Sequence, residues 1–334
     1  MASSLPPGGR ARRILVTHTT IAESAVRLLN AHDIDVHFSP PYDPSEVVAA
    51  RAAELQVDAI MVRQGRIDDR VIGASSRLKV IVKHGVGVDN IDIAAATARG
   101  IPVLRSMGSN ARAVAEHAIA LMLAQIKEIQ PLTAAVKGGA WPKPTFMGRD
   151  FQGAVLGLVG YGAIGRETAR MAAALGLEVT VFDPHAPGTP EADGFPSAPD
   201  LEAMLPALDV LSLHCPLTAA TRNLLDARRI ALMKPGAVIV NTARGGLIDE
   251  AALATALASG HLAGAALDSF ATEPPPADSP LWPLPTLTAT PHIGGVTRGS
   301  SRAMAEIAAR HIISVLDGAP PDERSLARVS ELSA

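Results

Sequence analysis

The chain has 334 residues, 48% of them hydrophobic and 19% charged, and its 30 basic residues against 33 acidic ones leave a net charge of −3. That length suits one large α/β unit or two ordinary domains with substantial cores, and we read two. The near-neutral balance offers no basic face to nucleic acid or an anionic membrane, and one cysteine, Cys215, excludes an internal disulfide and any Cys-rich metal site.

The first ten residues, MASSLPPGGR, hold no apolar segment of the length a secretory leader needs, so a soluble cytoplasmic protein is the simplest reading. From there RRILVTH, IAESAVRLLNAH, IDVHFS, SEVVAARAAELQ, DAIMVRQG, DRVIGASS and LKVIVKHGVG alternate strand-like runs with alanine-rich helical ones. This alternation predicts a parallel sheet with helices on both faces. A long helix is predicted from about Ala111 to about Ile129, ended by the glycines and prolines of KGGAWPKP. The alternation then restarts with AVLGLVG, a helix, EVTVFD, a helix near DLEAMLPAL, VLSLH, ALMKPGAVIVNTA, EAALATALASG and AGAALDSF. A turn-rich EPPPADSPLWPLPTLTATPH precedes a final helix, SSRAMAEIAARHIISVL. Two such stacks predict two α/β domains with a cleft for a small molecule.

The stretch GYGAIG follows an apolar strand and opens a helix, the context that gives a glycine triplet meaning. Gly160 permits the tight turn, Gly162 lets backbone approach a pyrophosphate, and Gly165 lets the helix pack on the strand. The helix N-terminus then presents its N–H groups to phosphate. Asp183, ending EVTVF, stands where a carboxylate accepts hydrogen bonds from adenosine ribose hydroxyls. It repels a 2′-phosphate, and DPHAPGT supplies no Arg or Lys to attract one, so the reading is NAD rather than NADP.

Chemistry is expected from Arg244 in VNTARGGLIDE, Glu273 in ALDSFATEPP and His292 in TATPHIGG. Reducing a 2-oxo acid requires a cation to hold the carboxylate and polarise the carbonyl, plus an acid to protonate the oxygen. The arginine fork suits the first task and histidine the second, while a carboxylate beside the imidazolium stabilises the charged ring and orients it. HGVGVD is a glycine-rich turn after a strand, an anion nest in which Val86 and Gly87 are the expected donors.

Together with VKHGVGVDNIDIAAATARGIPV, AEHAIALMLA, HCPLTAATRNLL and LWPLPTLTATPHIGG, these stretches resemble the D-isomer-specific 2-hydroxyacid dehydrogenases, in particular the 3-phosphoglycerate dehydrogenase-like members, over about residues 60 to 300. The resemblance implies two Rossmann-like doubly wound parallel-sheet domains. An NAD domain, 108–294, is inserted into a discontinuous substrate domain, 1–107 and 295–334. It assigns Arg244 to substrate carboxylate and carbonyl, His292 to acid/base catalysis and Glu273 to charging and orienting that histidine. It places Asp268 at the nicotinamide carboxamide, and Ala163, Ile164, Asp183, His214, Cys215, Pro216, Thr221, Thr242, Ala243, His292, Gly294 and Gly295 along the cofactor. Cys215 is expected to contribute backbone and bulk, and His214 packing, rather than chemistry. Arg63 is implied near the substrate, where it meets a second anionic group, with Lys83 and Arg112 as weaker candidates.

Which 2-hydroxy acid is bound stays open between phosphoglycerate-like, sulfolactate-, dicarboxylate-, glycerate- and glyoxylate-type substrates. Formate or phosphite dehydrogenase chemistry on the same scaffold is an alternative, and Glu273 disfavours formate, since formate enzymes pair their histidine with an amide. A non-catalytic NAD-sensing interaction protein is the reading from another class. The apolar 111–129 helix and the resemblance predict a homodimer, and no metal-ligand spacing is present.

Overall fold

The computed structural model describes residues 11–186 and 188–329, so the expectation of no leader in the first ten residues lies outside the described ones. The chain forms two compact units, one comprising residues 11–110 and 297–329, the other 111–296. These divisions fall where a helix opens at Ala111 and where another is capped at Thr297, a few residues beyond the expected 107/108 and 294/295.

The first unit opens with β1 (Arg12–Val16), α1 (Glu23–Asn30), β2 (Ile34–Phe38), α2 (Ser45–Leu55), β3 (Ala59–Val62), α3 (Asp69–Gly73), β4 (Val80–Lys83), α4 (Ile93–Ala98) and β5 (Val103–Arg105). The strands pair in parallel in the order β2-β1-β3-β4-β5. Successive side chains of a strand point to opposite faces, and here both faces are covered. Leu15, Ile60, Val62 and Ile81 face one cluster of buried residues, while Ile14, Val16, Met61, Val80 and Val82 face another. Elements α4 and β5 are absent from the sequence reading, being six and three residues long and too short for periodicity to show.

The second unit begins with α5 (Ala111–Ile126) and α6 (Ile129–Lys137), where one helix to about 129 was expected. The helix stops because Pro131 has no N–H for the Lys127 carbonyl. Glu128 turns left-handed at φ 51°, and Pro131 falls in the first turn of the new helix, where an N–H is not needed. The apolar face of α5 is not a free surface either. Ala118, Ile119, Leu121, Met122 and Ile126 join the core with Leu156, Leu158, Val210 and Val240, whereas α6 buries none of its residues.

There follow β6 (Val155–Val159), α7 (Ala163–Ala174), β7 (Glu178–Phe182), α8 (Thr189–Ala192), α9 (Leu201–Met204), β8 (Val210–Leu213), α10 (Ala227–Leu232), β9 (Ala237–Asn241), α11 (Glu250–Ala258), β10 (Leu262–Leu267) and β11 (Leu287–Ala289). These strands are parallel in the order β11-β10-β9-β8-β6-β7. The opposite face from α5 is packed by Leu201, Met204, Ile230, Leu253 and Leu257 of α9, α10 and α11. The chain returns to the first unit as α12 (Arg298–Leu316), started by a capping box in which Thr297 and Ser300 satisfy each other's backbone N–H. Among the described residues, no helix is long and apolar enough to cross a membrane, and no cluster of His, Cys, Asp or Glu is arranged to hold a metal.

Candidate active site

In the second unit the strand order reverses between β6 and β8, and in open parallel sheets ligands bind at the carboxyl ends of the strands at such a switch. The expected cofactor residues fall along that edge. Gly160 follows β6 at φ 97°, and a Cβ there would lie 2.7 Å from the Cys215 nitrogen, so glycine is required for the β6 turn to sit against the segment after β8. A Cβ at Gly165 would lie 2.1 Å from the Gly160 oxygen, which fixes the close seat of α7. Gly162 differs: a Cβ there meets nothing of the described protein within 4 Å. Space is therefore open at the N-terminus of α7, where no side chain caps the backbone of Ala163 and Ile164. Asp183, just past β7, accepts from Tyr161 N at 2.7 Å and His185 N at 2.9 Å. Each carboxylate oxygen keeps a lone pair for a ribose hydroxyl.

Further along the edge, Thr242 Oγ1 and His214 Nδ1 are buried without a hydrogen-bond partner among the described residues. Burial holds the His214 imidazole down at about 4, so it is a neutral ring. The Cys215 thiol is pushed up to about 12, chiefly by burial, which removes it as a thiolate nucleophile. Thr221 Oγ1 donates to the Pro216 carbonyl at 2.7 Å and shapes the loop that follows β8. The open space at Gly162, the orphaned Thr242 hydroxyl and the Asp183 carboxylate fit an extended dinucleotide laid across this edge.

Arg244 follows β9, Glu273 follows β10 and His292 follows β11, so three neighbouring strands bring the expected catalytic groups together. Asn241 shapes the first loop, donating to the Arg244 carbonyl at 2.8 Å and accepting from Ala243 N at 3.0 Å. A Cβ at Gly245 would lie 1.8 Å from the Phe270 carbonyl carbon, so the loop bearing Arg244 is pressed directly on the segment bearing Glu273. Glu273 holds His292 Nδ1 at 2.8 Å and Phe270 N at 3.0 Å. Burial pushes the Glu273 carboxyl up, but the hydrogen bond and charge of His292, the Phe270 N–H and Arg244 outweigh it and leave it below its ordinary value. With Nδ1 held by Glu273, Nε2 is the ring nitrogen that remains for proton exchange.

His292 has φ 55°, a left-handed backbone that costs a non-glycine residue roughly 1–2 kcal/mol. Asp268, only 1% exposed, holds that turn: its oxygens accept from Thr290 Oγ1 at 2.6 Å, Ile293 N at 2.9 Å and Gly294 N at 2.7 Å. Burial drives the Asp268 carboxyl up, yet these donors and His117 bring it below its ordinary value, so it is an ionised anchor. His117 escaped the sequence reading, although AEHAIALMLA is one of the resembling stretches. Its Nε2 lies 3.1 Å from Thr290 Oγ1 and 3.5 Å from Asp268 Oδ1.

In the first unit the expected substrate residues also share one carboxyl edge. Arg63 follows β3, and Val86 and Gly87 lie in the turn after β4. Arg63 Nη1 donates to the Thr20 carbonyl at 3.2 Å and lies 3.4 Å from His18 Nδ1. Lys83 Nζ is engaged with Asn90 Oδ1 at 2.8 Å and the Arg63 carbonyl at 3.2 Å. Arg112, in the second unit, pairs with Glu116 at 3.0 Å.

Glycine turn, helix N-terminus and terminal carboxylate on one parallel sheet define a dinucleotide-binding protein of the doubly wound class. The model of the D-isomer specific 2-hydroxyacid dehydrogenase NAD binding domain matches residues 119–294, and the chain belongs to that family. It is 38% identical over 301 residues to a D-3-phosphoglycerate dehydrogenase of Archaeoglobus fulgidus, covering 90% of this chain and 56% of the relative. A hydroxypyruvate reductase of Thermotoga maritima is 41% identical over 250 residues, 74% of this chain and 81% of its own. The crystal structure of the TT0316 protein from Thermus thermophilus superposes with a TM-score of 0.85 at 37% identity, over 95% of this chain and all of that one. The chain spans about half the length of the phosphoglycerate dehydrogenases it matches.

Proposed function

We propose that this protein is an NAD-dependent oxidoreductase that interconverts a D-2-hydroxy acid and its 2-oxo acid. The observation that carries this reading is the 2.8 Å contact from Glu273 to His292 Nδ1, beside Arg244 and on the same sheet edge as the glycine turn. Arg244 binds the substrate carboxylate and polarises the carbonyl. NADH, when bound, supplies the hydride to the carbonyl carbon. His292 delivers a proton from Nε2 to the oxygen, and Glu273 keeps the charged ring in place. Gly160, Gly162, Ala163, Ile164 and Gly165 form the pyrophosphate turn and the start of its helix, Asp183 takes the ribose hydroxyls in preference to a 2′-phosphate, and Thr242, Ala243, Gly294 and Gly295 lie along the nicotinamide half. Asp268 accepts from the carboxamide in addition to holding its loop.

By their names one relative acts on a three-carbon 2-hydroxy acid and the other on a three-carbon 2-oxo acid, the two sides of the same interconversion, which supports that class here. We assign the substrate a second anionic group, taken by Arg63 in preference to Arg112, because Arg112 is paired with the Glu116 carboxylate while the contacts of Arg63 are to the Thr20 carbonyl and His18. Val86 and Gly87 offer backbone N–H groups to a carboxylate. The test is NADH oxidation with phosphohydroxypyruvate, sulfopyruvate, oxaloacetate, hydroxypyruvate and glyoxylate. Turnover is expected to favour a dianionic member, with that preference lost in Arg63→Ala. Silence across the panel despite NADH binding would sink the reading.

We further propose a cytoplasmic homodimer. Its surface is moved from α5 to the segment beginning with α6, where Ile129 (54%), Val136 (49%), Trp141 (70%) and Met147 (88%) stand exposed. Sedimentation should give twice the 34.6 kDa chain mass, and Trp141→Asp with Val136→Asp should shift it toward the monomer. A wild-type monomer at micromolar concentration would dismiss the dimer.

A further inference from the structure

Three residues outside the expected catalytic set surround the turn on which His292 sits, and their proton inventory is constrained. Thr290 has one hydroxyl proton, and it is given to Asp268 Oδ1 at 2.6 Å. Thr290 Oγ1 is therefore an acceptor toward His117, and His117 Nε2, 3.1 Å away, is the donor. The same N–H leans toward Asp268 Oδ1 at 3.5 Å. The ring also forms the floor of the loop, since a Cβ at Gly294 would come within 3.2 Å of His117 Cδ2. Asp268 in turn holds Ile293 N and Gly294 N, the two backbone groups that follow the left-handed His292.

We propose that His117 is a positioning residue: its Nε2–H, acting through Thr290 and Asp268, fixes the strained turn that aims the His292 ring. The proposal rests on the dehydrogenase reading for its catalytic consequence, but not for its structural one. A ring that merely filled space would be replaceable by an apolar side chain, whereas this role needs a donor at the position of Nε2. Glutamine supplies an N–H there and leucine does not.

Three variants of the full-length protein, His117→Leu, His117→Gln and Thr290→Val, separate these roles, with the best 2-oxo acid of the panel as substrate. His117→Leu is expected to lower kcat by roughly 10- to 100-fold, the scale of a misplaced catalytic group, while NADH affinity stays within about threefold of wild type, the resolution of such a comparison. His117→Gln should recover most of kcat. The His292 ring Cε1–H resonance in 13C-histidine-labelled protein should move in His117→Leu and Thr290→Val and return in His117→Gln. Combined with Thr290→Val, His117→Leu should cost little more than either alone, because the two act as one unit.

An unchanged His292 resonance and kcat in His117→Leu would overturn the proposal, as would a glutamine variant as impaired as the leucine one. Should His117→Leu fail to fold, Thr290→Val decides on the same two readouts. If wild type reduces nothing in the panel yet the resonance moves and is restored, the positioning role stands and the dehydrogenase reading falls.

Discussion

Replacing His292 with Asn is expected to lower kcat/KM for 2-oxo acid reduction by about 10³-fold, within the 10²- to 10⁴-fold span of general acid catalysis. NADH affinity should stay near wild type. Asparagine is the informative replacement because it tolerates the left-handed region that His292 occupies at φ 55° better than most residues. Activity is then lost without adding backbone strain, and a thermal midpoint at or above wild type would show it. A loss smaller than tenfold would remove His292 from the proton-transfer role. Glu273→Gln separates the charge from the hydrogen bond, since glutamine still reaches Nδ1 but cannot stabilise an imidazolium.

The pH dependence of that second variant has a definite sign. The Glu273 carboxyl lies below its ordinary value in the fold, so its ionised contact with His292 is present at and above the ordinary carboxylate range. It survives the first part of acidification and is lost as pH falls through the lowered value. An acid limb of wild-type kcat/KM that belongs to Glu273, and that Glu273→Gln lacks, should therefore lie below the ordinary carboxylate value of about 4.3. The same acid limb in Glu273→Gln, or one at or above that value in wild type, would show that the carboxylate is not held as described.

The residues that announced themselves in the sequence are those whose meaning is local. Gly160, Gly162 and Gly165 are read from strand, turn and helix within one βα unit, and Asp183 from the end of the next strand. Arg244, Glu273 and His292 were readable for a different reason: their side chains suit the reduction of a 2-oxo acid and their stretches carry the family resemblance, while the parallel pairing that aligns them was not visible. What was lost is short or tertiary. The three-residue β11 lies inside a proline-rich stretch that reads as turns. The helix break at Glu128 was visible as Pro131, but the apolar period of α5 was extended past it. His117 had no local signal, because its partner Thr290 lies 173 positions away in sequence and Asp268 is nearly as distant. The Gly245 contact with Phe270 is equally silent until the strands are paired.

Arg244→Lys is expected to lower kcat/KM by roughly 10²- to 10³-fold, about the cost of removing one preorganised donor from a developing oxyanion, although the positive charge is kept. The guanidinium is a planar fork that meets a carboxylate through two parallel hydrogen bonds, and an ammonium offers a single point of attachment. The fold invests in aiming that fork. Asn241 pins the Arg244 carbonyl at 2.8 Å, Arg244 Nη1 donates back to the Ala243 carbonyl at 2.7 Å, and Gly245 allows the loop to press on Phe270. The larger share of the loss should fall on kcat if the fork polarises the carbonyl in the transition state, and on KM if it only holds the carboxylate. Gly245→Ala completes the comparison without touching the guanidinium. Its methyl group must displace the Phe270 backbone, so it should cost activity by moving Arg244 away from Glu273 and His292, together with a loss of roughly 1–3 kcal/mol in stability from overpacking. Wild-type kcat/KM in Arg244→Lys would mean that charge alone suffices at this position, and the bidentate role would have to be given up.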